Sequence, residues 1–131
     1  MHLASRRVTG LQRMKTRAPT SIRFIEILGI VGIAFWIVTI IRGFLAGSGN
    51  GFATVIVGLA LGGAHAVVSL GARHQSIAYV YAIGFIFIGD LFLAVFVDAK
   101  AFALVAFTIL LGALAASKSA RCWLRHIPNP T

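Results

Sequence analysis

The sequence predicts an all-α, polytopic transmembrane four-helix bundle with short loops. Three observations predict it. Four long apolar runs, Phe24–Ile41, Phe52–Leu70, Ile77–Val97 and Ala101–Ala116, occupy most of the 131 residues. Charged residues make up 11% of the chain against 59% hydrophobic ones, about half the charged share of a soluble domain. The basic residues lie almost entirely outside the runs. A helix needs about 20 mostly apolar residues to cross a hydrocarbon core about 30 Å thick. Only a helix satisfies its own backbone groups one segment at a time in lipid. A barrel would need alternating segments and at least about eight strands, and the runs do not alternate.

Residues 1–21 form a basic arm. Its apolar positions Leu3, Val8, Leu11 and Met14 are spaced irregularly and fit either a short surface helix or a disordered tail. Ser21 is expected to cap helix 1, which covers about 22–41. That run exceeds a usual signal-peptide core and has no clean cleavage site before Arg42, so it is expected to stay in the mature chain. The glycine-rich segment Ala46–Gly51 makes the first loop. It lacks the lysine and hydroxyl residue of a phosphate-binding loop. Helix 2 spans about 52–71, a turn at Gly71–Gln75 follows, and helix 3 spans about 77–97. Asp98 is placed to cap helix 4, about 99–117. The basic tail 118–131 is expected to lie along the interface, with Trp123 and Leu124 between Arg121 and Arg125, until Pro128 and Pro130 stop it.

Charge placement sets orientation. Six basic residues, ending with Arg17 and Arg23, precede or open helix 1; Arg73 and the tail residues Lys118, Arg121 and Arg125 share their side. Only Arg42 and Lys100 lie on the other. The positive-inside rule then puts both termini in the cytoplasm, against anionic headgroups. The net charge of +9 therefore reads as topology and lipid contact, and nucleic acid is not an expected partner. The single cysteine, Cys122, excludes an internal disulfide and reads as an inert thiol, with palmitoylation as the weaker alternative.

Polar residues inside the runs are the candidate sites, because each needs a partner or a polar cavity. Helix rise puts Glu26 about 6 Å and His65 about 9 Å from the same edge. That match predicts a Glu26–His65 hydrogen bond, with Glu26 reaching back to Arg23 and the headgroups as the alternative. Asp90 lies about 10 Å inside the opposite edge, level with Thr108, which can donate to it. His65 falls about 10 Å away by the same arithmetic, too far to pair with Asp90. Gly58, Gly62, His65 and Ser69 share one stripe of helix 2, with Gly58 and Gly62 as a small-xxx-small pair for close helix contact. Trp36 near one interface and Tyr79 and Tyr81 near the other read as aromatic belts.

No nucleophile–base–acid arrangement and no metal-ligand spacing is visible, so no catalytic residue, metal or cofactor is expected. A narrow bundle fills its own core. The leading expectation is a small membrane protein acting through helix–helix association, as a homo-oligomer or as an accessory subunit of a larger complex. The alternative is a proton- or cation-linked transporter or channel using Asp90. The orientation has a direct test. A cysteine introduced by Ser48→Cys is expected to react with an impermeant thiol reagent in intact cells; reaction only after lysis would reverse the topology.

Overall fold

The computed structural model describes residues 18–47 and 50–126. Residues 1–17 of the basic arm, Arg17 among them, lie outside the described residues, as do Pro128 and Pro130. The chain folds into α1 (Thr20–Leu45), α2 (Gly51–Arg73), α3 (Ala78–Phe96), a 3-10 turn (Ala99–Ala101), α4 (Phe102–Ala116) and a short α5 (Lys118–Leu124). The first three helices, and the 3-10 turn continuing into α4, are each long and apolar enough to cross a membrane. Their outer faces are hydrophobic. Ile88 is 70% and Leu59 64% exposed, a surface that lipid accommodates and water does not. The chain is a small, all-helical, multi-pass membrane protein.

The helix ends differ from the sequence expectation in instructive ways. α1 runs to Leu45, a turn past the expected end. Gly43 stays helical because α2 passes close beside it: a Cβ there would sit 2.8 Å from the Thr54 methyl. The turn falls at Gly47, whose φ of +60° closes the helix at little steric cost. Ser21 does not cap α1. Pro19 holds that position, and the Ser21 hydroxyl bonds Ser119 at 2.8 Å. Proline suits a helix start because its missing N–H would be unpaired there anyway. Asp98 does cap, its Oδ1 accepting from the Lys100 N–H at 3.0 Å; the turn it starts leads into α4. Helix α4 does not blur into the tail. Ser117 breaks it with extended backbone, and its hydroxyl caps α5 by accepting from the Ala120 N–H.

Buried positions on α1 are Ile22, Ile25, Gly29, Gly32 and Trp36. Their spacing of three and four keeps one face toward α2. The core joins Ile22, Ile25, Val68, Tyr79, Ile86 and Leu111, all fully buried. The two belt assignments made for Trp36 and Tyr79 are corrected here. Trp36 is buried against Gly62, and Tyr79 is fully buried against Gly71. Each aromatic residue approaches closely, by its Cβ, where α2 carries a glycine. Tyr81 remains on the outer surface, 73% exposed.

The end of the bundle that carries both chain termini is closed by α5. Ala120 is buried against the core, and the Trp123 indole Nε1 donates to the Ala72 carbonyl at 2.8 Å. Gln75 donates back to the Trp123 carbonyl at 2.9 Å. Gln75 itself sits at φ 57° just past α2, where the Ser76 N–H bonds the Gly71 carbonyl. That is the glycine-type helix stop, held here by a side-chain bond. Trp123→Phe keeps the ring but drops the donor. It is expected to cost about 1 kcal/mol and to speed amide exchange in 118–124 while exchange in the four long helices stays unchanged.

Candidate functional site

The buried polar residues among those described are His65, Asp90 and Thr108. All three sit within the membrane-spanning helices. His65 is fixed from two sides. Its Nδ1 donates to the Leu61 carbonyl one turn earlier, at 2.7 Å; a carbonyl only accepts, so the proton belongs on Nδ1. Nε2 is then left as the ring's proton acceptor. The ring lies over Gly32 of α1, where any Cβ would collide with its Cδ2, Cγ and Nε2 atoms. Glycine at position 32 is therefore a requirement of the histidine opposite.

Asp90 is 2% exposed. Its Oδ2 lies 2.6 Å from the Thr108 hydroxyl, and that hydroxyl also lies 3.0 Å from the Leu104 carbonyl. The hydroxyl has one proton for two acceptors. With Asp90 ionised, Thr108 donates to Oδ2. With Asp90 protonated, the carboxyl donates to Thr108 and the hydroxyl turns to Leu104. Both states are served without moving a heavy atom. Oδ1 is buried and has no hydrogen-bond partner among the described residues.

His65 and Asp90 line one cavity of about 200 Å³, together with Gly32, Trp36, Leu104 and Phe107. This corrects the depth arithmetic that kept them apart. Gly89 packs on Leu61, and Gly71 on Tyr79, so α2 and α3 run antiparallel with Asp90 about a turn and a half from His65. Side chains lean toward the N-terminus of their own helix. In an antiparallel pair those leans oppose, and here they bring the two side chains together. The same rule undoes the expected Glu26–His65 bond. Gly29 packs on Ser69 and Gly32 on His65, which puts Glu26 nearly two turns from His65 with both side chains leaning apart. Glu26 is half-buried; its carbonyl accepts from the Ser69 hydroxyl at 3.3 Å.

The stripe Gly58, Gly62, His65 and Ser69 lies against α1, on Ile40, Trp36, Gly32 and Gly29 in turn. The matching small positions on α1 were not singled out in the sequence; the Gly29 and Gly32 spacing was the available signal. Of the interfacial arginines, Arg23, Arg73, Arg121 and Arg125 are exposed at the terminal end, and Arg17 lies outside the described residues. Among the described residues no three His, Cys, Asp or Glu side chains gather in a way that could hold a metal ion.

The cavity is not axial. Toward the terminal end it is closed by Ile25, Val68, Ile86 and Leu111, each fully buried and each terminal-ward of the cavity residues on its own helix. Its side wall is the seam between α1 and α4, where Val31, Phe35 and Ala103 both line the cavity and reach the lipid-facing surface. Comparison with protein families, curated proteins and solved structures gives no match for this chain.

Thr108→Val keeps the side-chain shape and removes the one protein partner of Asp90. Its expected cost is about 1–3 kcal/mol in reversible unfolding from detergent micelles. Asp90→Leu combined with Thr108→Val is expected to cost less than Thr108→Val alone, because no polar group is then left stranded.

Proposed function

We propose that the chain is a proton- or cation-linked small transporter whose working group is Asp90. One observation carries this reading: a buried carboxyl, one oxygen of which has no partner among the described residues, lines a cavity that His65 also lines. An ionisable residue inside the membrane is a functional candidate by default. Thr108 supplies a partner to either protonation state, so loading and unloading Asp90 leaves its surroundings intact. His65 borders the same space. Entry through the α1–α4 seam suits the sealed terminal end. The basic-residue count supports termini in the cytoplasm.

Association with a second copy or a larger complex takes second place. The glycine stripe that favoured it is occupied by α1 within the same chain. That stripe offers nothing to another protein while the bundle is intact.

The two readings separate in vesicles. Wild-type protein reconstituted with a pH-sensitive dye inside is expected to carry proton or cation flux, Asp90→Asn to fall to the level of empty vesicles, and Thr108→Ser to retain flux. Wild-type flux equal to empty vesicles, or full flux in Asp90→Asn, would remove the transport reading.

A further inference from the structure

A second concavity lies at the terminal end, on the outside of the bundle between α3, α4 and α5, with a volume of about 680 Å³. Small residues create it. Gly112, Ala115 and Ala116 of α4 face Val80 and Ile83 of α3 across the gap, and a Cβ built on Gly112 would meet nothing within 4 Å. Along its length the groove is apolar. Its mouth is different: Gln75, Arg121 and Arg125 line it. Arg121 and Arg125 are one turn apart on and just past α5, so they project from the same face. Both are exposed. The chain's three acids are Glu26, Asp90 and Asp98, and none lines this groove.

We propose that this groove binds one anionic phospholipid. The apolar length takes an acyl chain within the hydrocarbon layer, and the two arginines take the phosphate at headgroup level. The arrangement follows from the depth of each part. α3 and α4 are membrane-spanning, so the apolar wall lies among lipid tails. Helix α5 is tied across the bundle end by the Trp123–Ala72 and Gln75–Trp123 bonds, which sets its arginines at the edge of the membrane. A guanidinium pairs with a phosphate through two parallel N–H donors, an arrangement that a zwitterionic headgroup's own ammonium weakens. Basic pockets between helices at a membrane edge favour anionic headgroups for this reason. The docked α5 distinguishes the site from a diffuse basic tail: the charges are held beside a groove of fixed shape.

The test is native mass spectrometry of the full chain released from nanodiscs of equimolar phosphatidylglycerol and phosphatidylcholine with identical acyl chains. Wild-type protein is expected to retain one phosphatidylglycerol, with about tenfold preference over phosphatidylcholine. Arg121→Gln with Arg125→Gln is expected to bring that preference close to unity. Gly112→Leu fills the groove without touching a charge and is expected to abolish retention of either lipid. Ala116→Leu, at an exposed position on the rim, gives the same readout should Gly112→Leu fail to fold. Equal retention of the two lipids by wild type, or no retention, would overturn the proposal. So would undiminished phosphatidylglycerol retention in a folded groove-filling variant, which would reduce the arginines to a general charge effect.

Discussion

The close approach of α1 and α2 is the contact on which the rest depends. Lipid tails are as apolar as leucine, so no hydrophobic force gathers helices once they are in a membrane. Association rests on packing, and packing here is reciprocal. Gly29 and Gly32 on α1 receive Ser69 and His65, while Gly58 and Gly62 on α2 receive Ile40 and Trp36. Each helix offers small residues where the other offers large ones. The pair is locked in register as well as in distance, because a shift of one turn sets His65 against Phe35 and Trp36 in one direction and Ser69 against Ile25 in the other. The same lock fixes the histidine ring over glycine, beside the cavity that it lines. α3 then takes its position by a similar contact, Tyr79 on Gly71, and carries Asp90 with it.

Much of this was legible in the residues. The four apolar runs gave the spanning helices, Asp98 its cap, and matched depth the Asp90–Thr108 contact. These succeed because they depend on one helix, or on two adjacent helices joined by a short connection whose ends must be flush. What failed depended on lateral direction. Hydrophobicity says that a residue lies within a membrane, but both lipid and protein neighbours are apolar, so it does not say which one the residue faces. Trp36 and Tyr79 have the depth of belt residues and the direction of core residues. Only the glycines opposite them, Gly62 and Gly71, carried that information, and they lie on another helix.

The His65 misreading has a narrower cause. Counting helix rise places Cα atoms, whereas chemistry happens at side-chain tips several ångströms away. Every side chain leans toward its own N-terminus. Between antiparallel neighbours the leans converge for one ordering of residues and diverge for the other. His65 and Asp90 are in the converging order, Glu26 and His65 in the diverging one. A correction of this sign, applied to the sequence numbers alone, would have exchanged the two pairings. It requires only the helix directions, which the short loops already dictate.

A bundle of four helices is too narrow for a pore, and its mostly apolar cavity reflects an uneven closure. The terminal end is packed twice over, by large aliphatic residues within and by α5 across the base. The α1–α4 seam is thin, since Gly32 and Ala103 present little bulk to the cavity. The space around Asp90 therefore opens sideways toward lipid while the axis stays shut. A group beside Asp90 in the cavity also meets Phe35 and Phe107. The aromatic and aliphatic rim favours a species that travels in the bilayer or passes as a neutral molecule. A fully hydrated ion would have to shed its water there, with only one carboxyl oxygen and one imidazole nitrogen to replace it. A proton needs no such cavity-wide solvation, because a carboxyl, a hydroxyl and an imidazole hold it directly. On the transport reading proposed above, the proton is thus the species that a carboxyl site of this kind serves with the least rearrangement.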